Sequence, residues 1–200
     1  MKILVIGASG TLGRAVADHL AVHHEVLRAG RSSGDHRVDL TQDASVQALF
    51  AATGPLDAVI ATTGQVHFGP LVQMDAAAFV TGLQDKLLGQ VRLALAAQHH
   101  LREGGSITLT SGIISAQPIR DGANATAVNA ALEGFVRAAA FELLPRGLRI
   151  NVVSPTVLEE SMQGYAPYFP GFEPIPARRV ALAYQRAVEG IQSGQTITAW

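Results

Sequence analysis

The sequence predicts a single-domain α/β fold in which a parallel sheet of about seven strands is wound on both faces by helices, across residues 1–200. Two observations support this prediction. Short apolar segments alternate with helical patterns along the whole chain, as expected of βαβ units with right-handed crossovers. In addition, 48% of the residues are hydrophobic and only 16% are charged. A sheet that is covered on both faces has this composition, because most of it is removed from water.

The predicted strands are short and rich in apolar or β-branched residues. The first contains the continuous apolar run Ile3–Ile6, which is typical of a buried parallel strand. Gly104–Gly105 and Gly147 precede two later strands, and we expect them to end the preceding helices in a left-handed conformation. The predicted strands are residues 2–6, 25–29, 36–39, 57–61, 106–110, 148–153 and 195–198.

The first predicted helix is indicated by Leu12, Val16 and Leu20, because their spacing places one apolar stripe along it. Asp43 and Asp75 stand at the starts of the next two, where an aspartate carboxylate can accept a hydrogen bond from a free backbone N–H. The predicted helices are residues 12–22, 43–52, 75–100, 124–145 and 177–192.

The composition excludes several kinds of site and partner. A net charge of −1 provides no basic surface for nucleic acid or for an anionic membrane. The chain has no cysteine, which excludes disulfides, thiolate nucleophiles and zinc–thiolate sites. No metal site is expected. The adjacent pairs His23-His24 and His99-His100 lie near predicted helix ends, and neighbouring residues on a helix point in different directions, so neither pair is suited to bind one metal ion. No apolar run approaches the roughly 18 residues that span a bilayer, so we expect a cytoplasmic protein.

The N-terminal segment predicts a dinucleotide site. A buried strand ends at Gly7, further glycines follow at Gly10 and Gly13, and a helix starts there. This arrangement places free backbone N–H groups and the positive end of a helix dipole at one point, which favours a pyrophosphate. Glycine is needed because a side chain would keep the phosphates from the backbone or the helix from the sheet.

The spacing Gly7-x-x-Gly10-x-x-Gly13, with Ala8-Ser9 inside it, resembles the short-chain dehydrogenase/reductase family, and the resemblance runs along nearly the whole chain. It implies a Rossmann-type fold and a nicotinamide cofactor held by several short segments. Asp39 and Leu40 are similar to the acidic-apolar pair that the family places beside the adenine. The cofactor residues implied are Gly7, Ser9, Gly10, Thr11, Leu12, Gly13, Arg31, Ser32, Asp39, Leu40, Ala61, Thr62, Thr63, Gly64, Pro155 and Thr156.

Within that set, the end of the second strand predicts the choice of cofactor. Proteins that prefer NAD usually place a carboxylate there to bind the ribose 2′-OH, and this chain has none. Arg31 and Ser32 instead offer a guanidinium group and a hydroxyl suited to a 2′-phosphate. We therefore expect NADP(H).

The positions that carry chemistry in the family do not match. The run Asn129-Ala-Ala-Leu-Glu-Gly-Phe135 resembles the family's Lys-Ala-Ala-Leu-Glu-Gly and places Asn129 at the lysine position, with Ala125 at the tyrosine position. Asp85-Lys-Leu-Leu-Gly89 resembles Asn-Leu-Leu-Gly and places Lys86 at the asparagine position. Ser111 is the nearest match to the family's serine, and Ser115 is the alternative. The resemblance thus implies a rebuilt site of Lys86, Ser111 and Asn129.

Lys86 also has a purely structural interpretation, in which its stem packs on the fold and its ammonium reaches solvent or pairs with Asp85 or Glu133. Residues 156–176 break the alternation of strands and helices with four prolines and four aromatic residues. They follow the carboxyl end of a strand, so we expect a substrate lid, with a dimer contact as the alternative.

Two functions remain open on the sequence. The first is a divergent NADP(H)-dependent oxidoreductase that acts on a small carbonyl or alcohol substrate. The second is a catalytically inactive NADP(H)-binding sensor or regulatory protein. In either case we expect a homodimer or homotetramer, because the predicted helices 75–100 and 124–145 carry small or apolar residues on more than one face.

Overall fold

The computed structural model describes all 200 residues, Met1–Trp200, and places seven strands in one sheet whose neighbouring strands are all parallel. Their order across the sheet is β3-β2-β1-β4-β5-β6-β7. The strands are Lys2–Ile6 (β1), Glu25–Gly30 (β2), His36–Arg37 (β3), Leu56–Ala61 (β4), Leu101–Thr110 (β5), Arg149–Pro155 (β6) and Thr196–Ala199 (β7).

Helices cover both faces of the sheet, as the apolar composition predicts. Ile3 and Val5 of β1 face the side that α1 and α7 cover, whereas Leu4 and Ile6 face the side of α2, α4 and α5. No helix is both long and apolar enough to cross a membrane. The helices are Thr11–Leu20 (α1), Asp43–Thr53 (α2), Ala76–Gly82 (α3), Gly89–Ala97 (α4), Ala123–Leu143 (α5), Met162–Tyr165 (α6) and Ala177–Glu189 (α7).

The winding of the chain reverses between β1 and β4. β2 and β3 lie on one side of β1, and every later strand lies on the other. Connections therefore leave the sheet in opposite directions at this point and open a crevice at the carboxyl ends of the strands. The fold predicted from the sequence is confirmed, and it locates the binding site.

The continuous helix predicted for residues 75–100 is wrong. The segment divides into α3, a π-helical turn at Leu83–Leu88 and α4, which ends at Ala97. Gly82 and Gly89, both poor helix formers, flank the π turn. The carboxylate of Asp75 caps α3 as predicted, accepting a bond from Ala78 N at 2.7 Å. Asp43 is not a cap, because it is the first residue of α2 and its carboxylate contacts Arg92 instead.

Strand boundaries also differ from the sequence prediction, most clearly at β3 and at β5. β3 ends at Arg37 and not at residue 39, because Asp39 N donates to Ser45 Oγ at 2.9 Å and not to a neighbouring strand. Gly104–Gly105 do not separate a helix from a strand but lie inside β5. Gly104 has φ +76 there, beside a register shift in the β4–β5 pairing. Gly147, with φ +64, ends its helix in the predicted left-handed conformation.

Candidate functional site

The first cavity of the site, which we call the glycine cleft, lies in the crevice at the carboxyl ends of β1, β2 and β4. It has a volume of about 270 Å³. Eight of the sequence-predicted cofactor residues line it, and the other six lining residues surround them. The lining residues are Ile6, Gly7, Ser9, Gly10, Gly30, Arg31, Ser32, Val38, Leu40, Thr41, Thr62, Thr63, Gln65 and Asp85.

The turn after β1 has no space for a side chain at Gly7 or at Gly13. Gly7 has φ +85, and a Cβ there would lie 2.9 Å from Thr62 Oγ1. That hydroxyl is itself held by a 2.8 Å bond to the Ile6 carbonyl. A Cβ on Gly13 would collide with the Gly7 carbonyl oxygen. The start of α1 therefore lies directly against the turn, and Gly7, Ser9 and Gly10 of this turn line the cleft. This cradle fits a pyrophosphate.

Arg31 lies at the rim of the cleft between two carboxylates. Its Nη2 is 3.4 Å from Asp39 Oδ1 and 3.3 Å from Asp85 Oδ2, and 60% of its side chain is exposed. These separations are longer than the roughly 2.7–2.9 Å of strong charge-assisted bonds. Hydrogen bonds from the backbone N–H and hydroxyl of Thr41, together with Arg31, lower the pKa of Asp39. Arg31 is therefore held near the cleft but is loosely paired with both carboxylates.

The second cavity, which we call the lysine pocket, has a volume of about 230 Å³. It brings together Lys86, Ser111 and Asn129 with three predicted cofactor residues, Gly64, Pro155 and Thr156. The remaining lining residues are Val66, Phe68, Gly112, Ile113, Ile114, Val157, Leu158, Ser161, Tyr165 and Phe169. Five predicted cofactor residues, Thr11, Leu12, Gly13, Asp39 and Ala61, line neither cavity.

Lys86 projects from the π turn across the backbone of Gly64. A Cβ on residue 64 would lie 2.5 Å from Lys86 Cγ, and Gly64 has φ +129, so both the space and the backbone there require glycine. Lys86 Nζ donates to the Ser111 carbonyl at 3.1 Å. Burial lowers the pKa of the Lys86 ammonium to about 8. No carboxylate lies within ion-pair distance of Lys86, so the structure does not support a pairing with Asp85 or Glu133.

Ser111 and Ser115 share one acceptor that the sequence interpretation missed as a site residue. Glu133 Oε1 lies 2.9 Å from Ser111 Oγ and 2.6 Å from Ser115 Oγ. Ser111 lines the lysine pocket, whereas Ser115 does not. Glu133 stands one helical turn after Asn129 on α5, and this spacing is the signal that could have identified it.

Asn129 is 2% exposed, yet its Oδ1 atom has no hydrogen-bond partner. Buried amides in native structures are rarely left unpaired, because desolvation then has no compensation. Gln90, which the sequence interpretation also missed, shows the contrast. Its side chain is fully buried but bonds Thr110 N at 2.8 Å, the Thr110 carbonyl at 3.0 Å and the Thr63 carbonyl at 3.3 Å. Asn129 therefore differs from a structural amide such as Gln90, because its oxygen is buried beside the lysine pocket without a partner.

The segment 156–176 forms one wall of the lysine pocket. It contains α6 between two single 3₁₀ turns, Glu159–Ser161 and Ala166–Tyr168. Tyr165 contacts Phe68 edge-on at a centroid distance of 5.9 Å and Phe169 at 6.2 Å. Tyr168 also contacts Phe68, at 5.0 Å, but it does not line the pocket. Aromatic contacts thus join this segment to the loop after β4.

Comparison with known proteins supports the same architecture. A family model described as enoyl-(acyl carrier protein) reductase matches residues 12–192. The crystal structure of a protein from Listeria innocua is 44% identical, with a TM-score of 0.97 and complete coverage of both chains. A small-chain dehydrogenase crystallised with NADPH is 27% identical, with a TM-score of 0.88 and coverage of 100% of this chain and 96% of that one. The 3-oxoacyl-[acyl-carrier-protein] reductase MabA of Mycobacterium avium is 27% identical over 203 residues, which cover 91% of this chain and 78% of MabA.

Proposed function

The chain belongs to the short-chain dehydrogenase/reductase family of oxidoreductases, and on this premise we propose that it uses NADP(H) to interconvert a small carbonyl compound and its alcohol. One observation carries the proposal. The glycine cleft and the lysine pocket share their dividing wall, because Thr63 and Gln65 line the cleft while Gly64 and Val66 line the pocket. In the same way, Asp85 lines the cleft and Lys86 lines the pocket. A ligand with two nucleotide halves suits two such adjoining cavities.

The residues of the lysine pocket have separate roles in this proposal. When bound, NADPH supplies the hydride for the carbonyl carbon. Lys86 donates a proton from Nζ to the carbonyl oxygen and is reprotonated by water. Ser111 orients the substrate oxygen, with its hydroxyl held by Glu133 at 2.9 Å. The unpartnered amide of Asn129 binds the nicotinamide ribose.

The choice of NADP(H) over NAD(H) rests on the rim of the glycine cleft. Arg31 and Ser32 both line the cleft, and the residues that end β2 include no carboxylate. The solved relative with NADPH supports the same choice. We also propose that residues 156–176 act as a substrate lid, since Tyr165 and Phe169 stand over the pocket.

The alternative is a protein that binds NADP(H) without turnover, and one observation favours it. Ala125, at the position of the family's tyrosine, is fully buried and belongs to an apolar cluster with Ile113, Ile114, Val157 and Phe169. No phenol can act from that place.

Cofactor titration combined with a turnover assay tests both functions. We expect saturable binding of NADPH, weaker binding of NADH, and consumption of NADPH with at least one small aldehyde or ketone. Bound NADPH can be followed by its fluorescence, and turnover by the loss of its absorbance. Tight NADPH binding without consumption on any carbonyl would favour the sensor. Absence of NADPH binding would contradict both.

We further propose that the protein self-associates through α4, α5 and the π turn. Large apolar side chains are exposed on these elements, including Leu88 (40%), Leu95 (54%) and Phe141 (79%). The outward face of α5 carries mostly small residues that allow close helix approach, namely Ala127, Ala130, Ala131 and Ala138. A symmetric pair would bury both faces at once.

Light scattering at micromolar concentration should therefore give twice or four times the 21.0 kDa chain mass. Phe141→Glu should shift the protein toward monomer, because a carboxylate cannot be buried cheaply at such a contact. Val22→Glu is the matched control, since Val22 is 69% exposed and follows α1. A wild-type mass of one chain would contradict the proposal.

A further inference from the structure

The lysine pocket contains an isolated positive charge. Lys86 is the sole charged side chain among the residues that line it. The nearest acidic groups along the chain and across the site are engaged elsewhere. Asp85 pairs with Arg31 and accepts from Gln65 N at 2.7 Å, and Glu133 accepts from Ser111 and Ser115. The protein itself therefore provides no counter-ion for Lys86.

An ammonium without a counter-ion in a half-buried, mainly apolar pocket is costly. The cost falls when a ligand brings negative charge to the same place. Lys86 Nζ carries three N–H donors and spends one on the Ser111 carbonyl at 3.1 Å. Two donors remain for a ligand, and they diverge from one nitrogen, so they suit two oxygen atoms that lie close together.

Asn129 adds a second unsatisfied polar atom to the same pocket. Asn129 is 2% exposed and lines the pocket with an Oδ1 atom that has no partner. The pocket thus contains an ammonium with two free donors and an amide oxygen without a partner. The proposed function gives the amide to the nicotinamide ribose, so the ammonium is the group left for a substrate.

The remaining walls define the body of the ligand. Phe68, Tyr165 and Phe169 form an edge-to-face aromatic set, with centroids 5.9 and 6.2 Å apart. Ile113, Ile114 and Val157 complete an apolar surface. The volume of about 230 Å³ is below the roughly 300–1,000 Å³ of pockets for drug-sized ligands. Because the nicotinamide of the cofactor shares this pocket in the proposed function, the substrate must be small, and a single aromatic ring with a short polar head suits the space that is left.

On the premise of the proposed function, we propose that the substrate is a small aryl-substituted 2-oxo acid, with its carboxylate and its 2-oxo oxygen both bound by Lys86. These two oxygens lie on adjacent carbons and accept the two free donors of Nζ. The aromatic ring packs against Phe68, Tyr165 and Phe169. In the reduction, the 2-oxo carbon gains the hydride, the oxygen gains a proton from Lys86, and the carboxylate is unchanged. The product is the 2-hydroxy acid, and water restores the proton on Lys86.

Phenylglyoxylate and its methyl ester form the pair of probes. The ester removes the carboxyl charge and adds one methyl group, and its ketone is the more electrophilic of the two, so a preference for the acid cannot come from intrinsic reactivity. We expect kcat/KM with NADPH to be at least about 10-fold higher for the acid, the scale of one charge-assisted contact. In parallel with the rate measurements, calorimetry measures the binding of benzoate and of benzamide to the NADP⁺-saturated protein. Benzoate should bind at least about 10-fold more tightly than benzamide by the same reasoning.

Lys86→Met should remove the preference for benzoate, and thermal melting of the variant checks that it folds. Lys2→Met is the matched control. Lys2 is the only other lysine, and it lies at the amino end of β1, whereas the site lies at the carboxyl ends of the strands. That variant should keep the full preference. If the Lys86 variant does not fold, the comparison of benzoate with benzamide on the wild-type protein still tests the anion site.

The outcomes separate this inference from the proposed function. If the ester is reduced as well as the acid, the 2-oxo acid assignment is overturned while the oxidoreductase stands. If benzoate binds selectively but nothing is reduced, the anion site stands and the oxidoreductase falls. If NADPH binds but benzoate and benzamide bind equally or not at all, the anion site is overturned. Persistence of benzoate selectivity in Lys86→Met would also overturn it.

Discussion

Replacing Lys86 by methionine should lower kcat for NADPH-dependent carbonyl reduction by about 10²–10⁴-fold, the typical contribution of a positioned acid. The family's tyrosine is absent, since Ala125 occupies its position and no tyrosine occurs before residue 165. Lys86 Nζ lies 3.1 Å from the Ser111 carbonyl and beside the Ser111 side chain that would orient the substrate. Methionine keeps the length and apolar stem of lysine, so the packing against Gly64 is retained.

Tyrosine variants distinguish Lys86 from its rival donors. Tyr165 lines the lysine pocket and is 42% exposed, whereas Tyr168 does not line it. We expect Tyr165→Phe and Tyr168→Phe to retain turnover within a few-fold, and Lys2→Met to behave as wild type. Abolition of turnover by a tyrosine substitution, with full activity in Lys86→Met, would transfer the role to that tyrosine. NADPH affinity is measured for each variant, so that lost binding is not mistaken for lost chemistry.

The pH profile offers a second readout of the same assignment. Burial lowers the pKa of Lys86 to about 8, so the ammonium form exists below that pH and is lost as the pH rises through it. Activity in the direction of reduction should therefore decline above about pH 8. Two acidic groups face this region. The carboxylate of Asp85 pairs with Arg31, and the carboxylate of Glu133 accepts hydrogen bonds from two serine hydroxyls. An unchanged rate up to pH 10 would exclude Lys86 as the acid.

Arg31→Ala should weaken NADPH binding by about 10- to 100-fold and leave NADH binding nearly unchanged. A charge-assisted contact to a phosphate contributes roughly 1.5–3 kcal/mol, and only NADPH carries the 2′-phosphate. The fold should tolerate the change, because Arg31 is 60% exposed and its two carboxylate contacts are long, at 3.3 and 3.4 Å. Fluorescence titration with both cofactors measures the effect.

Arg102→Ala is the matched control for Arg31. Arg102 is 50% exposed and also pairs with a carboxylate, Asp57, at 2.9 Å, but it stands near the start of β5, away from the glycine cleft. Arg102→Ala should change neither the affinity for NADPH nor the affinity for NADH. Equal losses of NADPH and NADH binding in Arg31→Ala would show that Arg31 supports the loop and does not bind the phosphate.

The sequence by itself determined the architecture and the location of the glycine turn. Both depend on local patterns that involve neighbouring residues. The apolar run Ile3–Ile6 and the glycines that follow it predict strand, turn and helix without knowledge of distant segments. The alternation of elements then predicts a doubly wound parallel sheet. Gly147, which ends a helix, was likewise predictable because its left-handed conformation is a local requirement.

Only the tertiary structure decided how the polar residues are paired. The position of Gly104 inside β5 and the missing ion pair of Lys86 depend on contacts between segments distant along the chain. Lys86 reaches Ser111 from a π turn, and Glu133 bonds Ser111 from another helix. Local propensity cannot encode such distances, because side-chain hydrogen bonds and burial are set by packing across the whole sheet. The isolated charge in the pocket is therefore a property of the fold, although the lysine itself is plain in the sequence.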